Sequence, residues 1–139
     1  MLDLAKLVST WSKDPSTKVG AVITDRNNRV ISLGFNGFPS KCIDHPDHYS
    51  DRKIKLEKIL HAERNALIFS KRDLSDCIIY TYPFAPCATC ASMIIQAGIT
   101  TVIAPKMTDE IRERWQESLE LAERMYNEAS VEFVEINYV

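Results

Sequence analysis

Two cysteines three residues apart, in the run Pro86-Cys87-Ala88-Thr89-Cys90, constrain this chain more than any other stretch of it. The pattern predicts a short helix over 86–97, stopped by Gly98, a residue favoured just past a helix end. On such a helix both sulfurs fall on one face. They also sit in its first turn, where the helix dipole favours thiolate over thiol. A second short run, His61-Ala62-Glu63, opens another predicted helix, and a strand lies between the two. Two thiolates and one imidazole are the ligand set of an open catalytic zinc site, its fourth position left to a water. Zinc lowers the pKa of that water toward neutrality. Glu63 is near enough to His61 in the same turn to face the water without ligating, so it can take a proton and deliver it elsewhere. Taken alone, Cys-x-x-Cys reads equally as a redox pair or half a structural zinc site. His-x-Glu alone says nothing.

Composition narrows the setting. At 139 residues, 45% hydrophobic and 26% charged, the chain is expected to be one globular domain over 1–139. A domain of this size buries roughly two-thirds of its unfolded surface and needs no disulfides to fold. Seventeen basic against 19 acidic side chains leave a formal charge of −2, which is not a nucleic-acid footprint. No apolar run approaches the ~18 residues of a membrane span, and Met1-Leu2-Asp3-Leu4 lacks the basic head of a signal peptide. A cytoplasmic protein is therefore expected (in the host cytoplasm if the chain is viral). In that reducing compartment four cysteines suggest metal or catalysis rather than a disulfide framework.

Apolar spacing predicts helices over 2–13 and roughly 61–71, and a longer one from Thr108 through Met125. Strands are predicted at 19–24 and 29–35 as a hairpin, then at 77–81, 99–104 and 131–136. Residues 36–53, with Gly37, Pro39 and Pro46, read as a long loop. Strands alternating with helices after a hairpin imply an α/β fold, a mixed sheet between helices.

His-x-Glu followed by Pro-Cys-x-x-Cys is the signature of zinc-dependent base deaminases. Other runs extend the likeness: Ser12 to Ala21, Gly34-Phe35-Asn36-Gly37-Phe38-Pro39, His61 to Ala66, and Cys90-Ala91 with Ile94 to Ile99. In these runs the chain resembles the deoxycytidylate (dCMP) deaminases of the cytidine deaminase-like superfamily over nearly its whole length. Free cytidine deaminases usually carry Cys where this chain has His61, and transfer-RNA deaminases carry Glu-Pro-Cys where it has Ala85-Pro86-Cys87. The chain departs from the family at Tyr82-Pro83-Phe84-Ala85, where a proline stands in place of a continuing strand.

The resemblance implies a three-layer α-β-α sandwich with a central mixed sheet of about five strands. It implies hydrolytic deamination of dCMP to dUMP and ammonia, supplying dUMP for thymidylate synthesis. Zn2+ would be held by His61, Cys87 and Cys90, with Glu63 moving protons between water, ring nitrogen and leaving amine. Asn36 would contact the sugar, Ala62 and Pro86 would border the base, and Ser12, near Lys13, is a candidate for the 5′-phosphate. Ser12 reads equally as a helix-end residue. The resemblance further implies a homo-oligomer, a hexamer, activated by dCTP with Mg2+ and inhibited by dTTP. The effector site would lie at Gly34, Phe35, Asn36 and Gly37, with Phe69 and Arg72 linking it to the active centre. The plainer reading makes Phe69 a core residue and Arg72 a solvated one. Alternatives for the activity are another cytosine nucleotide such as a 5-modified dCMP, or non-catalytic nucleotide binding.

Two further groups remain. Cys77 opens a strand and reads as a small buried apolar residue. Cys42, His45 and His48, spaced Cys-x-x-His-x-x-His, read either as a second, structural metal site or as part of an ordinary polar loop.

Overall fold

The protein is described by a computed structural model in which residues 1–138 are placed. The predicted hairpin is present as β1 (Gly20–Thr24) and β2 (Val30–Phe35). Its turn closes because the Asp25 carboxylate accepts the backbone N–H groups of Asn27 (2.8 Å) and Arg29 (3.0 Å). Asn28 takes the left-handed backbone, φ 62°, that asparagine tolerates. The remaining strands are β3 (Ile78–Tyr82), β4 (Thr101–Pro105) and β5 (Glu132–Ile136). All five form one sheet in the order β2-β1-β3-β4-β5, antiparallel at both β1 pairings and parallel from β3 to β5. The fold is α/β, with the mixed five-stranded sheet that the motifs imply.

Two glycines show how helices cover the two faces. A Cβ on Gly20 would lie 2.1 Å from the carbonyl oxygen of Ala5, in α1 (Leu2–Ser9). One on Gly34 would lie 2.2 Å from that of Ala62, in α4 (Ala62–Ser70). Gly34 pairs with Ala21, the neighbour of Gly20, and successive residues of a strand face opposite ways. α1 and α4 therefore press on opposite sides of the hairpin. The α4 side continues through α5 (Ala88–Gln96) and α7 (Gln116–Glu128). There Ala62, Ala66, Ala91, Ile94, Ala122 and Tyr126 pack on Ala21, Ile23, Ile79 and Val102. Cys77 is buried in this core, and burial pushes its thiol up.

Three expectations change. The first helix stops at Ser9, not 13, because the Ser9 and Thr10 hydroxyls bond back to the carbonyls of Lys6 and Leu7 (2.6 Å each). Trp11 keeps the apolar rhythm but rests edge-on against Phe35 at the surface. The stretch read as a loop contains α2 (Pro46–Ser50) and the start of α3 (Arg52–Lys58). Pro46 stands at the head of α2, where a missing N–H costs nothing, and Asp51 caps α3 through the N–H groups of Lys53 and Ile54. The long C-terminal helix is two helices, α6 (Asp109–Arg114) and α7, broken at Trp115 (φ −111°, ψ 18°).

Candidate active site

Chain ends of secondary elements build the site. His61 is the N-cap of α4 and Cys87 the N-cap of α5. An isolated bridge between Gly37 and Leu60, with N–H···O distances of 3.1 and 2.8 Å, fixes the approach to His61 against the end of β2. His61 Nδ1 lies 3.3 Å from Cys90 Sγ and 3.7 Å from Cys87 Sγ. Among the described residues these three are the group of possible metal ligands whose atoms converge, all within 4.8 Å of one another. One imidazole and two thiols suit zinc, which takes nitrogen and sulfur in tetrahedral array.

The protons in the cluster are already unevenly shared. Hydrogen bonding from Cys90, and then from His61, outweighs burial and draws the Cys87 thiol down to about 3. The bond to Cys87, reinforced by burial, pushes Cys90 up. The bond to Cys87 also raises His61. Glu63, only 4% exposed, has its carboxyl raised above the ordinary range by burial.

Glu63, His61 and Cys87 open into a cleft of about 280 Å³. Its lining includes Asn36 and Ala62, as the motifs lead one to expect, and also Asp14, Lys55, Arg114, Trp115 and Ser118. Asn36 spends most of its amide on the fold. Its Oδ1 accepts the Val19 N–H and its Nδ2 donates to the Thr17 carbonyl, both at 2.8 Å. Ser12 does not line the cleft. Buried, it donates to the Asn36 carbonyl (2.8 Å) and accepts the Asp14 N–H (3.2 Å), so its hydroxyl is occupied, and Lys13 pairs with Asp44 at 2.9 Å. Pro86 is fully buried behind the lining, where Ala85 stands instead.

The residues of the expected effector site fall into two groups. Gly34 admits the backbone of α4, while Phe35 is partly exposed beside Trp11. Phe69 is 57% exposed at the far end of α4, not in the core, and Arg72 follows it on the surface. Cys42, His45 and His48 do not form a converging ligand group: the ring of His45 takes the Asp47 N–H, and Nδ1 of His48 lies 2.9 Å from Lys58 Nζ.

Sequence reasoning missed Ser118. Its hydroxyl accepts the N–H of Ala88 at 2.9 Å, capping the turn that carries Cys87 and Cys90. A serine in a charged helix, 28 residues beyond the second cysteine, gives no local sign of that role.

Among the described residues no helix is long and apolar enough to cross a membrane. Comparison with known proteins agrees with the geometry. Residues 1–106 match the model of the cytidine and deoxycytidylate deaminase zinc-binding region. The chain is 49% identical over 129 residues to a deaminase encoded in the luxG 3′ region of Aliivibrio fischeri, covering 93% of this chain and 86% of that one. It is 35% identical over 136 residues to human deoxycytidylate deaminase, covering 94% and 74%. The crystal structure of the dCMP deaminase of cyanophage S-TIM5, in complex with dCMP and dUMP, superposes with a TM-score of 0.73 at 25% identity, over 97% and 93% of the two chains. The chain belongs to the cytidine and deoxycytidylate deaminase zinc-binding family and is a zinc-dependent deaminase.

Proposed function

We propose that this protein converts dCMP and water to dUMP and ammonia, and that residues 1–139 act as one deaminase domain in the cytoplasm. The observation that carries the reading is a buried carboxylate, Glu63, beside His61 and Cys87 in a cleft also lined by Asn36 and Ala62. His61, Cys87 and Cys90 would hold the zinc. When bound, zinc supplies the Lewis acidity that makes water nucleophilic at neutral pH.

The chain's own residues do the rest. Glu63 takes a proton from the attacking water and gives one to the cytosine ring nitrogen N3. Glu63, again a carboxylate, then takes the second proton from the hydroxyl now on C4 and passes it to the amine, which leaves as ammonia while the C4 carbonyl forms. A group that acts as base and then as acid works best with a pKa near the operating pH, and burial moves Glu63 in that direction. The Ala62 backbone borders the pyrimidine, and Asn36 stands toward the sugar.

The reading extends to regulation: dCTP with Mg2+ activates, dTTP inhibits, and the enzyme works as a hexamer whose dUMP feeds thymidylate synthesis. In support, α4 carries Glu63 in its first turn and ends near the exposed Phe69 and Arg72, so one rigid element joins the two regions. Ammonia release from dCMP, CMP, dCTP, deoxycytidine and 5-methyl-dCMP tests the substrate. dCMP is expected to lead, and preference for another member of the panel would overturn the reading. Saturating dTTP is expected to suppress dCMP turnover.

A further inference from the structure

We propose that Arg114 receives the 5′-phosphate and thereby makes the enzyme select a nucleotide over its nucleoside; the inference rests on dCMP as the substrate. Two cationic side chains, Lys55 and Arg114, line the cleft that contains Glu63. They are not equivalent. An ammonium has three N–H donors, and Lys55 directs its donors to Asp14 Oδ1 (3.0 Å), Asp14 Oδ2 (3.0 Å) and Ser16 Oγ (2.7 Å). Its charge is balanced by a carboxylate that would itself repel a phosphate. That pair offers a dianion little.

Arg114 is in the opposite condition. It ends α6 and is exposed, with no ion pair among the described residues. Arg112, on the same short helix, is engaged by Glu123 and Glu135. The contact that orients Arg114 is with the ring of Trp115, 5.6 Å from guanidinium carbon to ring centroid. Stacking of this kind limits the rotamers of the side chain and leaves its N–H donors unused, in a planar fork that matches phosphate oxygens.

The position is also fixed relative to the reacting groups. Ser118, one turn further along α7 and in the same lining, accepts the N–H of Ala88 beside Cys87. That bond ties the Arg114 wall to the first turn of α5. A substrate with its base at Glu63 and Ala62 would extend its phosphate toward the mouth of the cleft, where Arg114 stands.

The test measures initial rates of wild type, Arg114→Gln and Arg114→Lys, each on dCMP and on deoxycytidine. The inhibition constant of dUMP reads the same contact without turnover. Losing a charge-assisted bond predicts a fall of about 30-fold in kcat/KM for dCMP in Arg114→Gln, mainly through KM. Binding of dUMP should weaken in parallel, with a loss on deoxycytidine at least tenfold smaller and partial recovery in Arg114→Lys. If Arg114→Gln keeps dCMP turnover and dUMP binding near wild type, or loses both substrates alike, the assignment to Arg114 fails while dCMP stands as substrate. A wild-type enzyme that deaminates another cytosine compound and not dCMP overturns the substrate reading, and this inference with it.

Discussion

The segment 61–90 and the segment 42–58 both carry metal-type side chains, and the structure uses them in opposite ways. In the first, His61, Cys87 and Cys90 converge because two helix starts are packed against one sheet. In the second, Cys42, His45 and His48 are closer in sequence yet do not converge, and charge fastens the segment instead. Lys55 reaches the buried Asp14, Lys58 reaches the Ile43 carbonyl and lies against His48, and Asp44 meets Lys13. Spacing along the chain brings ligands together only where buried element ends hold them. Each region can be probed at the point where this contrast would fail.

The largest effect is expected at Glu63. Glu63→Gln preserves shape and removes proton transfer, so turnover should fall on the order of 10³-fold. Because Glu63 is not among the converging ligands, zinc content by metal analysis should match wild type. Retained turnover would show that the buried carboxylate is not the proton carrier. Lost metal would show that it ligates.

Next comes the fastening of the other segment. Lys55→Met leaves the Asp14 carboxylate buried without its partner, and chemical denaturation should show a loss of about 2–3 kcal/mol. The pH dependence follows from Asp14. Burial raises its carboxyl, but the Ser16 N–H, Lys55, the Thr17 N–H and the Ser16 hydroxyl together outweigh that and hold it below the ordinary carboxylate range. A depressed folded-state pKa contributes stability that is fully present above the unfolded value of about 3.9 and is lost as pH falls through the folded value. Acid unfolding of wild type should therefore begin below about pH 4, and that limb should move upward in Lys55→Met.

The same contrast explains what the sequence showed in advance. The α/β class, the five strands and the convergence of residues 61, 87 and 90 were legible because motif spacing and hydrophobic period report on packed elements. The first helix was read too long because Trp11 keeps helical phase while its chain has already turned. α2 was hidden by Pro46, which reads as a breaker unless its place at the helix head is known. Ser12 stood in a family-like run, yet its hydroxyl closes on Asn36, and only tertiary structure shows a distant partner. Arg114 and Ser118 enter the cleft from helices well beyond the second cysteine, Lys55 enters from α3 just before His61, and none of the three carries a local pattern.

Ser118 offers a smaller, sharper probe of the packed region. Ser118→Ala removes the acceptor for the Ala88 N–H and should cost about 1 kcal/mol, near the value of a lost helix cap. Zinc retention during dialysis against a chelator should fall with it, since the same turn carries Cys87 and Cys90. Unchanged stability together with unchanged retention would mean that α5 holds its ligands without help from α7.

The smallest effect tests the other side of the comparison. His48 faces the Lys58 ammonium at 2.9 Å, which disfavours a second cation there, and the His45 ring is occupied by the Asp47 N–H. Cys42 is exposed, so its sulfur contributes little packing. Cys42→Ser with His45→Asn should therefore shift the denaturation midpoint by no more than about 0.5 kcal/mol in equivalent stability, as for other surface changes. Metal analysis should return the same zinc per chain as wild type. A drop of one equivalent, with Glu63→Gln still fully loaded, would mean that metal binding draws the exposed segment into a cluster that its ion pairs do not form, and fastening by charge would then describe only its metal-free state.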